Sequence, residues 1–414
     1  MTAVVLIGGG VATAAAAVGL RSGGFEGEVV LVCEETEPPY ERPPLSKEFL
    51  AGTSSLEDFA VNPRQWYDDE GIELLLGVRA ESLDPAEHSV RLSDGRMLRY
   101  DVLVIGTGAR ARTVPGFEGD HVHVLRTIDD ARRLDRSLKS GSRVAVLGGG
   151  FVGCEAAAVA VARGADVTLF SSSPLPLERA LGPEIGRAML EVHTDNGVHM
   201  RCEETITSVC ETSDGLELRT GSGEVIECDE LVVGIGSVPN SELAAEAGLD
   251  VDEGILTDEF GRTSVPEVYA VGDVAQRFHP VYGARVRVEH HDTAMRHGQN
   301  VARNILGDSL PFTEEHYFWS DQYDCKLQSI GHYVGSDGQR VVRGSVDARS
   351  FCVFTVVDGR VRAMVAMNRP GDLLQVRKLL SQPHVATAEE LADEKFPIKR
   401  LLPQRSRRAH MEVS

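Results

Sequence analysis

Residues 144–155 read VAVLGGGFVGCE, and this stretch decides the fold. An apolar run ends in Gly148, Gly150 and Gly153, which have Gly-x-Gly-x-x-Gly spacing, and an alanine-rich segment with the composition of a helix follows. Glycines at this spacing permit a tight turn, close approach of the backbone to a pyrophosphate and close packing of helix on strand. The stretch therefore predicts a strand, a turn and a helix that bind a dinucleotide.

The N-terminus carries a second copy of this pattern. Residues 4–7 read VVLI, residues 8–13 read GGGVAT, and an alanine-rich helix is predicted to extend to about residue 20. Gly8 and Gly10 occupy the first two motif positions. Thr13 occupies the third, where glycine or alanine is usual, so we expect slightly looser packing of helix on strand. One copy is weak support for a nucleotide site, but two copies predict two Rossmann-like units and two bound dinucleotides.

Composition limits the class of protein. A chain of 414 residues predicts two to three domains, and 42% hydrophobic content without an apolar run of about 18 residues argues against a membrane span. The net charge of −21 disfavours nucleic-acid binding. A predicted strand begins within three residues of Met1, which leaves no room for a signal peptide, so we expect a cytoplasmic protein. The seven cysteines are scattered without Cys-x-x-Cys or zinc spacing, so reduced thiols and no metal are expected.

The residues after the second strand of each copy bear on the ribose contacts. Glu34 and Glu35 lie 24 and 25 positions after Gly10, where an acidic residue accepts hydrogen bonds from a ribose, so either is a candidate ligand. In the other copy, Ser171 begins a run of three serines at this place. Loss of the acid removes the repulsion of a 2′-phosphate, but no arginine flanks the serines. NADH and NADPH both stay open, with NADH slightly favoured because a positive clamp is missing.

The loop at residues 38–47 reads PPYERPPLSK, and its prolines predict a rigid segment that ends at a new helix. The string Tyr-x-Arg-Pro-Pro-Leu-Ser-Lys resembles the oxygenase-coupled, NAD(P)H-dependent ferredoxin reductases, the FAD flavoproteins of putidaredoxin reductase and biphenyl dioxygenase systems. In that family the matching arginine and prolines line the FAD, and the lysine approaches the flavin ring. The resemblance therefore implies FAD contacts for Arg42, Pro43 and Lys47.

Further residues receive roles from the same resemblance. Thr107 matches the position where the chain leaves the FAD domain and touches the adenine side. Asp273, within TSVPEVYAVGDVA at 263–275, matches the aspartate that binds the ribityl chain. Glu155 matches a glutamate near the nicotinamide that can pair with Lys47, and it is also expected in the first turn of its helix. The family usually has glutamate at the position of Ser171.

The end of the FAD region and the C-terminal part continue the resemblance. Residues 285–291 alternate like an edge strand and precede a helix predicted at 294–306. Glu289, His290 and His291 stand where the family has Glu-His-Trp or Glu-Ser-Trp against the isoalloxazine, so His291 replaces an aromatic ring and bears on the flavin potential. Trp319, within FWSDQYD at 318–324, matches a tryptophan that reaches the flavin and nicotinamide. Alternating strands up to residue 367 and a helix at 373–380 predict an antiparallel α+β domain.

The sequence thus predicts an α/β protein with three domains. The FAD-binding domain comprises residues 1–110 and 239–311, the NAD(P)H-binding domain 111–238, and the C-terminal α+β domain 312–414. We expect hydride transfer from NAD(P)H to FAD, then single-electron transfer to an iron–sulfur ferredoxin that serves an oxygenase or a cytochrome P450. A surface around Arg285 and Arg287, together with the basic tail, is expected to dock the ferredoxin.

Two other functions stay open. A flavoenzyme of the NADH oxidase or coenzyme A-disulfide reductase type needs a redox cysteine beside the flavin, and none is placed there. A protein like apoptosis-inducing factor uses its reduced flavin to control partner binding and shares the Pro-Pro-Leu-Ser-Lys string.

Overall fold

The computed structural model describes residues 2–333, 335, 337–382 and 385–402. It divides into two compact units, residues 1–180 with 189–314, and residues 181–188 with 315–414. Of the basic tail, Lys399 and Arg400 are described, whereas Arg405, Arg407 and Arg408 lie outside the described residues. The three predicted domain boundaries stay a prediction.

Short strands dominate the first unit. Its strands are β1 Ala3–Ile7, β2 Glu28–Cys33, β3 Ile72–Leu76, β4 Ala80–Asp84, β5 Ser89–Leu92, β6 Met97–Arg99, β7 Val102–Ile105, β8 Ala109–Ala111, β9 Val122–His123, β10 Arg143–Leu147, β11 Asp166–Ser171, β12 His199–Cys202, β13 Ile206–Thr212, β14 Gly215–Thr220, β15 Val225–Cys228, β16 Glu230–Val233, β17 Ser237–Pro239, β18 Ile255–Thr257, β19 Val268–Ala270, β20 Ala275–His279 and β21 Ala284–Val286. The helices up to residue 314 are α1 Val11–Ser22, α2 Arg64–Asp69, α3 Ile128–Ser137, α4 Phe151–Ala162, α5 Glu178–Leu181, α6 Pro183–Asp195, α7 Glu242–Glu246 and α8 His291–Ile305, with 3₁₀ turns at Pro43–Ser46, Leu56–Phe59 and Gly272–Val274.

Two parallel five-stranded sheets carry the two glycine motifs. Their strand orders are β19-β7-β1-β2-β3 and β12-β11-β10-β16-β9. The first sheet is buried on both faces, since Val5 and Ile7 of β1 join one apolar cluster while Val4 and Leu6 join another. Parallel sheets covered on both faces are typical of doubly wound α/β folds. The predicted pair of Rossmann-like units is confirmed.

The two crossings between these sheets pair with each other. β8 and β17 form a two-stranded antiparallel ribbon. Thr107 Oγ1 donates to the Asn240 carbonyl at 2.7 Å, and Asn240 Nδ2 donates to the Thr107 carbonyl at 2.9 Å. Thr107 therefore fixes the crossing, and its predicted contact with the adenine side of FAD stays a prediction.

The second unit is built on an antiparallel sheet of order β22-β23-β26-β25-β24. Its elements are β22 Tyr317–Gln322, β23 Cys325–Gly331, β24 Gln339–Ser345, β25 Ser350–Val357, β26 Arg360–Met367, α9 Pro370–Leu380 and α10 Ala388–Ala392, with a 3₁₀ turn at Ile398–Leu401. The predicted antiparallel α+β domain is confirmed. The helix predicted at 373–380 begins three residues earlier than expected, at Pro370.

Two predicted elements are wrong. The predicted strand at residues 285–291 ends at Val286, and α8 already begins at His291 instead of Ala294. The alternation that suggested a strand is real, because Val286 and Val288 are buried, but the backbone leaves the sheet to reach the helix. β3 pairs in parallel with β2 at the edge of the first sheet.

Candidate functional site

The two glycine loops have nearly the same backbone geometry. Gly8 has φ +123° and Gly148 has φ +122°, which L side chains rarely adopt. A Cβ on Gly8 would lie 2.1 Å from the Gly106 carbonyl oxygen, and one on Gly148 would lie 2.2 Å from that of Gly234. Each loop therefore presses against the end of a neighbouring strand, and only glycine fits there.

The second glycine of each motif faces open space at a helix start. Gly10 and Gly150 are the N-caps of α1 and α4, and neither helix has a side-chain cap or an acidic residue in its first turn. A Cβ on Gly10 would meet no atom within 4 Å, and one on Gly150 only the Gly234 oxygen at 3.9 Å. The first N–H groups of a helix have no intrahelical acceptor, so this open space at each helix start fits the pyrophosphates of FAD and of a nicotinamide dinucleotide.

Thr13 stands at the third position of the first motif, where the sequence predicts slightly looser packing of helix on strand. It is fully buried, and its hydroxyl donates to the Gly8 carbonyl at 2.5 Å and lies 3.0 Å from the Gly10 carbonyl. Its methyl group lies 2.5 Å from where a Cβ on Gly106 would be. A threonine fits at this position because residue 106 has no side chain.

The ribose candidates of the first motif differ in their partners. Glu35 receives a hydrogen bond from Arg42 at 2.8 Å and a short one from the Tyr40 hydroxyl. The Glu34 side chain is 71% exposed and has a 4.0 Å ion pair with Arg79. Glu35 is thus already bound by other side chains of the protein. The Glu34 carboxylate is exposed, and its contact with a ribose stays a prediction.

Arg126 is a residue that the sequence analysis missed. Its Nη2 lies 2.6 Å from Asp273 Oδ2, and its carbonyl accepts a hydrogen bond from Arg42 at 2.5 Å. Arg126 therefore joins two residues that the resemblance assigned to FAD. The sequence signal was weak: the Thr127–Asp130 capping box places Arg126 before α3, but nothing indicates that it reaches Asp273.

Lys47, from the loop after the first motif, and Glu155, from the helix of the second, form an ion pair. Lys47 Nζ lies 3.0 Å from Glu155 Oε1, with side-chain exposures of 12% and 6%. Lys47 also donates to the Pro43 carbonyl at 3.3 Å, and Ser46 Oγ donates to Glu155 Oε2 at 2.5 Å. Glu155 is the fifth residue of α4, so its predicted place in the first turn is wrong. An ion pair so little exposed to water fixes the loop after the first motif against the helix of the second.

His291, the first residue of α8, lies close to this pair. His290 is the N-cap of α8, and His291 Nε2 lies 3.7 Å from Glu41 Oε1. Burial lowers the pKa of His291, as does Lys47, while Glu41, Asp292 and Asp273 act in the opposite direction. These influences place His291 among the charged residues of the site. Glu289 instead accepts short hydrogen bonds from Ser237 and Arg287. The Arg287 guanidinium is therefore already paired with a carboxylate of this protein.

The Ser171 hydroxyl, at the end of β11, is already hydrogen-bonded within the protein. This residue is buried, and its hydroxyl donates to the Ser173 carbonyl and accepts from the Ser173 N–H, both at 3.2 Å. On the adjacent strand β12, Arg201 donates to Glu204 at 2.8 Å and closely to Glu224. Hydrogen bonds from Ser222 and Arg201 lower the pKa of Glu204 to about 2. Arg201, on the strand next to Ser171, is therefore already bound by two carboxylates.

Trp319 belongs to the second unit, on β22. It stacks on Tyr317 with ring centroids 6.0 Å apart. A recess of about 360 Å³ is lined by Tyr317, Trp319, Asp321, Lys326 and Gln328. The predicted contact of Trp319 with flavin and nicotinamide stays a prediction.

The cysteines of the first unit are mostly inert. Burial raises the pKa of Cys154, next to Glu155, well above its ordinary value, and burial raises that of Cys33 to about 12. Cys210 is exposed and Cys202 half-buried. A thiol at Cys154 stays protonated and is a poor nucleophile.

Neither a metal site nor a membrane-spanning helix is found among the described residues. Within the described ranges, no three histidine, cysteine, aspartate or glutamate side chains are grouped so as to hold a metal ion. Among the helices of the same residues, none combines the length and the apolar character needed to cross a bilayer.

Comparisons with known sequences agree with this geometry. The profile of the pyridine nucleotide-disulphide oxidoreductases matches residues 2–298, and that of the reductase C-terminal domain matches 317–402. Rhodocoxin reductase from Rhodococcus erythropolis is 40% identical over 96% of this chain and 93% of its own length. Putidaredoxin reductase from Pseudomonas putida is 35% identical over 96% of both chains.

Solved structures give the same result. The reductase of the covalent putidaredoxin reductase–putidaredoxin complex superposes with a TM-score of 0.93 at 34% identity, over 97% of this chain and 98% of the other. The ferredoxin reductase for the CYP199A2 system from Rhodopseudomonas palustris also gives 0.93 at 34% identity, over 97% and 99%.

Proposed function

This chain belongs to the pyridine nucleotide-disulphide oxidoreductase family, and we propose that it is the NADH-dependent reductase of an oxygenase-coupled electron-transfer chain. It is an oxidoreductase that uses FAD and a nicotinamide dinucleotide. Bound FAD accepts two electrons as a hydride and releases them singly, which a nicotinamide cannot do. The observation that carries the proposal is the ion pair of Lys47 and Glu155, which joins the two dinucleotide units at one point.

We assign the binding roles by motif. The loop of Gly8, Gly10 and Thr13 holds the FAD pyrophosphate, and the loop of Gly148, Gly150 and Gly153 holds that of the nicotinamide dinucleotide. The remaining FAD contacts are assigned to Glu34, Arg42, Pro43, Thr107 and Asp273, with Arg126 added from the structure, and to Glu289, His290 and His291 at the start of α8. Ser171 marks the ribose of the nicotinamide dinucleotide.

Lys47, Glu155 and Trp319 are assigned to the reacting ends of the cofactors. Opposite charges 3.0 Å apart in a site with little water hold their segments in a fixed relation. Lys47 and Glu155 act by placing the flavin edge against the nicotinamide, and such orientation contributes more than proton transfer in a hydride step.

The acceptor is an iron–sulfur ferredoxin, which passes the electrons to an oxygenase or a cytochrome P450. The name of one relative, the ferredoxin–NAD(+) reductase component of the anthranilate 1,2-dioxygenase system from Burkholderia cepacia, describes such a system. The reductase–putidaredoxin complex shows an electron carrier bound to a protein of this fold.

We propose NADH over NADPH because two carboxylates follow the strand next to Ser171. Glu203 and Glu204 directly follow β12, whose Cys202 is in register with Ser171. Arg201 of the same strand is already bound by two carboxylates. A 2′-phosphate would meet repulsion without a compensating cation from β12.

We place the protein in the cytoplasm. NADH, its proposed substrate, is available there. Its cysteines are free thiols, as is usual for cytosolic proteins.

Turnover with a separate ferredoxin distinguishes this function from a flavin switch like apoptosis-inducing factor. Cytochrome c reduction by NADH should depend on added [2Fe–2S] ferredoxin. Lys47→Met and Glu155→Gln should each slow flavin reduction by about a hundredfold, because the reacting ends lose their alignment.

Arg143→Met is the matched control, since it removes the ion pairs with Glu227 and Asp229 at the start of β10, the strand end away from the glycine motif, and should leave the rate unchanged. Flavin reduction by NADH without any transfer to a ferredoxin would favour the switch.

A further inference from the structure

Ser46 contacts the same carboxylate as Lys47. It ends the 3₁₀ turn Pro43–Ser46, and its hydroxyl donates to Glu155 Oε2 at 2.5 Å, while Lys47 Nζ lies 3.0 Å from Oε1. Ser46 and Glu155 are 6% and 5% exposed. Two consecutive residues of one loop therefore each hold one oxygen of a single buried carboxylate on the helix of the other nucleotide unit.

The two donors differ in stiffness. Lys47 carries its charge on a four-carbon stem, so its position depends on what its ammonium binds. Ser46 has a short side chain in a turn that begins with two prolines, and its hydroxyl has little freedom. The serine can therefore fix the carboxylate, and the carboxylate in turn fixes the ammonium.

Satisfaction of both oxygens matters because the site is nearly dry. A buried carboxylate oxygen that loses its donor is costly, and the side chain then turns toward other partners. Loss of the Ser46 hydroxyl would let Glu155 rotate and would carry Lys47 with it.

We propose that Ser46 is a positioning residue for hydride transfer, which acts through Glu155 to hold Lys47 where the two cofactors meet. The inference rests on the proposed function, since it presupposes that a hydride passes at this point.

Anaerobic stopped-flow reduction of the FAD-loaded protein by NADH tests this role. Ser46→Ala should lower the limiting rate of flavin reduction by about tenfold and change the apparent Kd for NADH by less than about threefold. Ser89→Ala removes an equally buried serine hydroxyl from β5, at 7% exposure, and should retain the wild-type rate. A Ser46→Ala protein with the limiting rate of Ser89→Ala would overturn the inference, and so would a change confined to Kd.

Thermal unfolding supplies a second readout that needs no turnover. Ser46→Ala should lower the melting temperature in the wild-type background and have no effect in a Glu155→Ala background, where the hydroxyl has no carboxylate to hold. An equal loss in both backgrounds would show that Ser46 acts independently of Glu155 and would overturn the inference. Should NADH fail to reduce the wild-type flavin, the proposed function fails, which is a separate outcome.

Discussion

At the residue scale, the site depends on Glu155, whose two carboxylate oxygens bind Ser46 and Lys47. The resemblance predicted that Lys47 and Glu155 can pair, because both positions match family motifs. It did not predict Ser46 or Arg126, whose partners lie 109 and 147 positions away along the chain. Such contacts arise from the packing of the two sheets and leave no local pattern in the sequence.

The thiols give a prediction at this scale. Iodoacetamide at neutral pH should label Cys210 and, more slowly, Cys202, since burial raises the pKa of Cys202. Electron transfer should be retained after labelling, because no thiol takes part in the proposed chemistry. Mass spectrometry identifies the labelled sites, and Cys210→Ser should lose the fast-reacting one. Inactivation that tracks labelling of Cys154 would instead support a disulfide-type flavoenzyme.

At the element scale, the sequence predicted the two strand–turn–helix units well, because their glycines have a strict spacing. It failed at residues 285–291, where alternating burial imitates a strand although the backbone turns into α8. α8 packs against α1 so closely that a Cβ on Gly298 would lie 2.0 Å from the Ala12 carbonyl oxygen. Since Ala12 is in the first turn of α1, this contact sets the position of the FAD pyrophosphate site.

Gly298→Ala should therefore destabilise the protein by about 1–3 kcal/mol, although alanine is the better helix former. Its melting temperature and its retention of FAD during gel filtration should both fall. Gly371→Ala is the matched control, because a Cβ there meets no atom within 4 Å and the change should be neutral or stabilising. An unchanged melting temperature for Gly298→Ala would contradict the close packing of α1 and α8.

At the scale of the whole molecule, the chain joins two nucleotide units in one compact body and adds a separate antiparallel unit. The sequence predicted this architecture because each part carries its own motif. It left the coenzyme preference open, since the carboxylates that follow the strand next to Ser171 belong to Glu203 and Glu204, 32 and 33 positions along the chain.

The coenzyme preference is testable in steady-state kinetics. We expect kcat/KM for NADH to exceed that for NADPH by at least about tenfold, because carboxylates follow the adjacent strand. Ser172→Arg should raise kcat/KM for NADPH, since it adds a cation at the end of β11. Ser213→Arg, in a hairpin turn of the same unit, should have no effect on the ratio. A wild-type preference for NADPH would refute the assignment.

The central claim is that one polypeptide accepts a hydride from NADH on FAD and passes the electrons singly to a ferredoxin. An anaerobic titration of the purified, FAD-loaded protein tests it most directly. We predict that one equivalent of NADH bleaches one flavin and that the reduced protein then reduces two equivalents of [2Fe–2S] ferredoxin. A protein that does not take up FAD, or a bleached flavin that leaves the ferredoxin oxidised, would contradict the account.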